Sequence, residues 1–155
     1  MSTTSTTAQI RPALPDDEEA WRALWGAYCA FYEVSLPEQV SRRTWARILD
    51  PDSGVMCVLA EVDGKVCGFA NCVIHENTWE LQPVCYLEDL FVDPAARGKG
   101  VGRALMEWLR NAMRAEGWAR LYWVTAQDNA QARALYDRFT RADGYVRYVL
   151  RYKPG

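Results

Sequence analysis

Tyr86-Leu87-Glu88-Asp89-Leu90-Phe91-Val92-Asp93-Pro94-Ala95-Ala96-Arg97-Gly98-Lys99-Gly100-Val101-Gly102-Arg103 is the stretch on which the reading of this chain turns. It predicts a strand that feeds a loop, and a loop that opens a helix. Three glycines stand at alternate positions in that loop. Free N–H groups at a helix N-terminus, with the positive end of the dipole behind them, form an anion site. Glycine lets backbone approach the anion closely, because no Cβ intervenes. Arg97, Lys99 and Arg103 add positive charge beside it. The plainer alternative is a flexible strand-to-helix turn that binds nothing. Against it stands a cost of roughly 1 kcal/mol for each glycine, relative to alanine, in the first turn of a helix. Two other glycine loops are excluded by spacing. A P-loop needs G-x-x-x-x-G-K-[ST], but Lys99 is followed by Gly100; the dinucleotide fingerprint G-x-G-x-x-G fails because Gly98, Gly100 and Gly102 lie two apart.

Working outward, strand-like and helix-like patterns alternate, which predicts a single α/β domain over residues 9–155 behind a polar, disordered tail over residues 1–8. Gln9–Pro12 reads as a first strand. Pro15-Asp16-Asp17-Glu18-Glu19 opens a helix, its acidic residues matching the dipole. The apolar side of that helix, Ala20, Leu24, Ala27, Tyr28 and Phe31, recurs at helical spacing, widened by Trp21, Trp25 and Tyr32. A second helix runs from Pro37 to about Leu49. Val55–Val62 and Lys65–Ile74 read as strands joined by an Asp63-Gly64 hairpin turn, and Pro83–Val92 as another. A helix spans Gly98–Glu116 and ends at Gly117. Arg120–Thr125 is a short strand, Asn129 to about Thr140 a helix, and Tyr145–Tyr152 a last strand. The expected order is β-α-α-β-β-β-α-β-α-β.

Composition narrows the function. Of 155 residues half are hydrophobic and a quarter charged, as in an ordinary globular protein with a core, and the net charge of −2 argues against a nucleic-acid-binding surface. No apolar run is long enough for a membrane span, and the Ser/Thr-rich start has no secretory pattern. Cys29, Cys57, Cys67, Cys72 and Cys85 are odd in number, lie in apolar stretches and show no C-x-x-C pair. With His75 the one histidine, reduced thiols in a cytoplasmic protein are expected, with no metal.

Arg97-Gly98-Lys99-Gly100-Val101-Gly102 resembles the R-G-x-G-[IV]-G signature of GNAT acetyltransferases. Leu90-Phe91-Val92-Asp93-Pro94 resembles the strand that runs beside pantetheine in that superfamily, and Asn129-x-x-Ala132-x-x-x-Tyr136 resembles its second cofactor motif. The likeness covers nearly the whole chain and is strongest toward the polyamine and histone-type branch. One departure follows Tyr136: the usual G-F step is replaced by Phe139-Thr140-Arg141-Ala142-Asp143-Gly144-Tyr145, which loosens the placement of the last strand.

The resemblance implies a GNAT fold with a mixed twisted sheet, helices on both faces, and acetyl-CoA as cofactor. Main-chain groups of Leu90 and Val92, flanking Phe91, are expected to pair with the pantetheine arm as an added strand. The N–H groups from Arg97 through Val101 and Gly102 to Arg103 are expected to hold the pyrophosphate. Asn129 would hydrogen-bond the pantetheine chain, and Tyr136 would protonate the departing thiolate; the alternative for Tyr136 is an aromatic core residue. The acceptor would be a small-molecule amine or a basic peptide, and the chain a homodimer helped by its Tyr-rich last strand.

The acceptor amine must lose a proton before it attacks, and Glu88 is the favoured carboxylate, either as base or as amine binder. Strand alternation places Glu88 on the face of Leu90 and Asp89 on the opposite face. A buried, paired structural carboxylate is the alternative for Glu88. Trp25, Tyr28, Tyr32 and Glu33 near the end of the first helix are candidates for an acceptor wall, or simply core. His75 and Trp79, in a stretch resembling the branch's H-x-x-T-W, are candidates for the acceptor side, with a structural role for the histidine favoured. Two other functions remain open: an idle acyl-CoA-binding module, and acetylation of a protein lysine or N-terminus.

Overall fold

A computed structural model describes residues 7–154, in two compact units that divide at Val124/Thr125. Residues 1–6 of the expected polar tail lie outside the described residues. The first unit holds a five-stranded sheet in the order β1-β2-β3-β4-β5: β1 Gln9–Pro12, β2 Val55–Val62, β3 Lys65–His75, β4 Val84–Val92 and β5 Leu121–Tyr122. The first three pairings are antiparallel and the last is parallel, so the sheet is mixed. Its helices are α1 Glu18–Phe31, α2 Glu38–Leu49 and α3 Val101–Glu116.

The hairpin between β2 and β3 turns where expected. Asp63 (φ 53°) and Gly64 (φ 76°) both take positive φ, as a two-residue turn matched to strand twist requires. Alternation along the strands then sorts side chains between two layers. Cys57, Leu59, Phe69 and Phe91 join Trp21, Leu24, Trp25 and Trp45 of α1 and α2 in one core cluster. On the other face α3 inserts Leu105, Met106 and Leu109, all fully buried. At Gly68 a Cβ would come within 3.2 Å of Val101 Cγ1 and 3.0 Å of the Phe91 carbonyl, so the start of α3 sits close upon β3. The first strand is tied to the helix entry by Arg11, which forms a bidentate pair with Asp17 (2.7 and 2.8 Å) and reaches Glu61 at 2.7 Å.

Three elements differ from expectation. α3 begins at Val101 rather than Gly98, because Gly98 (φ 80°) and Gly100 (φ 76°) are left-handed and cannot lie within a right-handed helix. β5 is confined to Leu121–Tyr122, because only these two residues find a neighbour on β4. The third difference lies in the second unit, whose helix α4 spans Ala130–Tyr136. Residues 145–152 form no strand there, contrary to expectation. Period-two alternation confers the propensity, but a strand exists only with a hydrogen-bonded neighbour, and among the described residues none pairs with this segment. Its side chains, including Tyr148 and Leu150, are exposed.

Candidate active site

Strand β4 provides the centre of the site, and an irregularity in it sets the geometry. Asn71 pairs with Asp89 and Cys72 with Leu87, so Glu88 is an extra residue with no partner on β3. A bulge of this kind interrupts alternation and re-aims side chains. Glu88 and Asp89, expected on opposite faces, therefore both line one cavity of about 280 Å³. The sheet side of that cavity also includes Asn71 and Val73; the helix side includes Trp25 of α1 and Val40, Thr44 and Arg47 of α2.

The two carboxylates have different surroundings. Asp89 accepts hydrogen bonds from the Tyr28 hydroxyl (2.7 Å) on one oxygen and from Asn71 Nδ2 (3.2 Å) on the other. Asn71 is itself buried and accepts from Trp21 Nε1 at 3.4 Å, which anchors this network in the aromatic core. Burial raises the Asp89 carboxyl above the usual carboxylate range, while the bonds from Tyr28 and Asn71 pull it back. Among the described residues Glu88 makes no such side-chain bond. Its carboxyl is raised by burial and then by the neighbouring charge of Asp89. The arrangement sets a fixed, hydrogen-bonded carboxylate beside a less constrained one, both raised above the ordinary carboxylate range.

Beyond Glu88 the outer edge of β4 is open. The β5 ladder covers only Cys85 and Tyr86, and no strand among the described residues pairs with that edge from Leu87 to Val92. The Asp93 N–H bonds to the Cys67 carbonyl on the β3 side (2.8 Å). Main-chain groups alternate between the two edges of a strand; those of Phe91 thus also face β3, while those of Leu90 and Val92 face the open edge. The Phe91 side chain is buried in the core cluster.

The open edge leads into the glycine loop. Asp93 caps a short turn through the Ala95 N–H (3.0 Å), and the chain then passes Arg97 to the two left-handed glycines. A Cβ at Gly98 or Gly100 would meet no atom within 4 Å. Their demand is for backbone conformation, and the space outside them is open to an incoming group. The first intrahelical bond runs from the Ala104 N–H to the Gly100 carbonyl (3.0 Å), so the N–H groups of Val101, Gly102 and Arg103 are first-turn donors without an intrahelical partner. Of the basic residues, Arg97 lies 5.9 Å from the Phe31 ring centre and Arg103 is paired with Glu107 at 3.0 Å. An extended polar arm ending in phosphates fits this edge and loop.

The remaining candidates fall in different places. Tyr28 touches the cavity through Asp89, and Tyr32 packs edge-on against Tyr28 (4.9 Å) without joining the lining. Glu33 follows the C-cap of α1 with φ 55° and is also outside the lining. His75 has both ring nitrogens engaged, by the Tyr122 hydroxyl (2.8 Å) and the Glu76 carbonyl (2.6 Å), in keeping with a structural histidine. Trp79 is 85% exposed and does not line the cavity. In the second unit Asn129 is the N-cap of α4, its Oδ1 accepting from the Ala132 N–H (3.2 Å), and Tyr136 is the last residue of that helix. Sequence reasoning missed Asn71 and Arg47. A signal for Arg47 was available: Val40, Thr44 and Arg47 recur at helical spacing beside the buried Ser41–Trp45 face.

Comparison with known proteins agrees with this architecture. Residues 19–140 match the acetyltransferase (GNAT) family, and the chain belongs to it. It is an N-acetyltransferase that uses acetyl-CoA. It is 37% identical over 141 residues to a D-amino-acid N-acetyltransferase of Saccharomyces cerevisiae, covering 90% of this chain and 88% of the relative. An aminoglycoside N(6′)-acetyltransferase of Stenotrophomonas maltophilia is 30% identical over 130 residues, covering 82% and 81%. In fold, the chain superposes on an aminoglycoside acetyltransferase in complex with a bisubstrate analogue of CoA with a TM-score of 0.81 at 22% identity, covering 95% of this chain and 99% of that one.

Proposed function

We propose that the protein moves an acetyl group to the primary amine of a small molecule, directly, within a ternary complex. The observation that carries this reading is the cavity of about 280 Å³ over Glu88 and Asp89, on the same strand as the open edge at Leu90 and Val92. Drug-sized ligands occupy pockets of about 300–1,000 Å³, so a cavity of this size suits a small acceptor better than a protein tail. Relatives named for D-amino acids and for aminoglycosides support a small-molecule amine as acceptor. The family match spans both compact units, which supports one working domain over residues 9–155.

The residues divide the work as follows. Leu90 and Val92 offer main-chain groups to the pantetheine arm, and the N–H groups of the 97–103 loop, with Lys99, hold the pyrophosphate. When bound, acetyl-CoA supplies the acyl group already activated as a thioester. Main-chain N–H groups near Leu90 hydrogen-bond the acyl carbonyl. Glu88 takes the proton from the acceptor ammonium, and Asp89 fixes a second negative charge that favours binding of that cation. Asn129, whose Oδ1 is spent on capping, offers its Nδ2 to the cofactor chain, and the Tyr136 hydroxyl holds the proton for the leaving sulfur. A homodimer is the proposed assembly.

Release of free thiol from acetyl-CoA, measured across amino acids, polyamines, aminoglycosides and basic peptides, tests the proposal. Turnover with small amines is the expected result, and a Tyr136→Phe variant should keep acetyl-CoA affinity by calorimetry while losing roughly 100-fold or more in rate. Turnover confined to peptides would replace the small-molecule reading, and an unchanged rate in Tyr136→Phe would remove the acid role.

A further inference from the structure

The two carboxylates of the cavity face an unused cation. Arg47 lines the cavity from the last turn of α2, while Glu88 and Asp89 line it from the sheet. Four other arginines, Arg11, Arg22, Arg103 and Arg120, are held in ion pairs, but the Arg47 guanidinium has neither an ion pair nor a hydrogen bond among the described residues. Both residues are exposed at the cavity, and Glu88 too has no ion pair among the described residues, so opposite charges share one cavity without closing on each other. The Glu88 carboxyl points to the same separation: a guanidinium in contact would pull it down, whereas burial and Asp89 push it up. A basic residue in the last helical turn gains something from the dipole wherever it points. That gain does not require Arg47 to lie on the cavity wall.

We propose that Arg47 reads a carboxylate on the acceptor, so that the site takes small α-amino acids as zwitterions in preference to amines that lack the acid group. This rests on the acetyl-transfer reading of the same cavity. The ammonium is drawn to the Glu88–Asp89 side and the carboxylate to the planar guanidinium, which can meet it with two parallel hydrogen bonds. The apolar wall formed by Trp25, Leu36, Val40 and Val55 is left to the amino-acid side chain. A polyamine would bring a second cation against Arg47, a repulsive element that lowers its standing as an acceptor.

The experiment compares leucine, as each enantiomer, with the matching leucinamide and with spermidine, in wild type, Arg47→Gln and Arg47→Lys. Leucinamide has the less basic amine, so at neutral pH it presents more free base; a preference for leucine cannot then come from amine reactivity. Wild type is expected to favour leucine in kcat/KM by roughly 10- to 100-fold, the scale of a charged hydrogen-bonded pair. Arg47→Gln should erase that preference through KM for leucine, so that leucine and leucinamide are used about equally, and Arg47→Lys should restore part of it. Equal use of leucine and leucinamide by wild type, or a preference that survives in Arg47→Gln, would overturn the role of Arg47 and leave acetyl transfer standing. Silence with all three amines, while an aminoglycoside or a basic peptide still releases thiol, would overturn this inference and leave acetyl transfer standing; silence across that wider panel as well, with acetyl-CoA bound by calorimetry, would overturn both.

Discussion

Glu88 and Asp89 are adjacent in sequence yet chemically unlike, and the difference lies in what holds them. Tyr28 and Asn71 grip Asp89 by both oxygens, so it acts as a fixed charge; the Glu88 carboxyl is raised by partial desolvation and by that charge. A base works in its deprotonated form, so with Glu88 in its proposed role kcat/KM is expected to fall as pH drops through the Glu88 pKa, which lies above the ordinary carboxylate value. Removing the Asp89 charge removes the second cause of that elevation and makes Glu88 a stronger acid. An Asp89→Asn variant should therefore move the acid limb of the kcat/KM profile to lower pH, while Glu88→Gln should abolish the limb and lower the rate by about 100-fold or more. A pH–rate series with one good acceptor decides this. An acid limb that stays in place in Asp89→Asn would show that the two carboxylates do not communicate, and a limb that survives in Glu88→Gln would assign the base elsewhere.

At the scale of elements, the glycine loop sets the entrance of α3 and the binding role it is given. Because Gly100 is left-handed with open space beyond it, alanine there meets strain without a clash, costing about 1–2 kcal/mol. The strain falls on the N–H array, so Gly100→Ala should weaken acetyl-CoA binding by roughly tenfold while the melting temperature falls only a few degrees. Titration calorimetry with CoA and a thermal melt separate the two effects, and a large melting loss with unchanged affinity would make the loop structural only. Much of this was legible in the sequence. Asp63-Gly64 announced its hairpin, and the strand feeding Gly98 announced the strand–loop–helix turn into α3, because turn chemistry and glycine spacing are local properties. The bulge at Glu88 was not legible, since it arises from the register between β3 and β4, and a one-residue irregularity leaves no trace in either strand alone. For the same reason the sequence ranked Asp89 below Glu88, and Arg47 went unnoticed because its significance depends on which face of α2 meets the sheet. Tyr145–Tyr152 failed as a strand on similar grounds: propensity is local, whereas a ladder needs a neighbour.

The whole molecule carries only a small net charge, so charge alone does little to keep copies apart, and its C-terminal segment is unusually apolar for a surface. Val146, Tyr148, Leu150 and Tyr152 recur at every second residue and are all exposed, as are Tyr145 and Val149 on the alternate positions. An exposed apolar run with alternating side chains and no strand partner among the described residues invites pairing with another chain. Arg147 and Arg151, spaced among the apolar residues, oppose indiscriminate stacking while leaving a specific pairing possible. The proposed homodimer uses this segment. Light scattering on the full chain should then give twice the monomer mass at micromolar concentration, and a chain ending at Gly144 should give the monomer mass while retaining a cooperative melting transition. A monomer mass for both would remove the dimer. Twice the monomer mass for both would keep a dimer and transfer its interface to another surface.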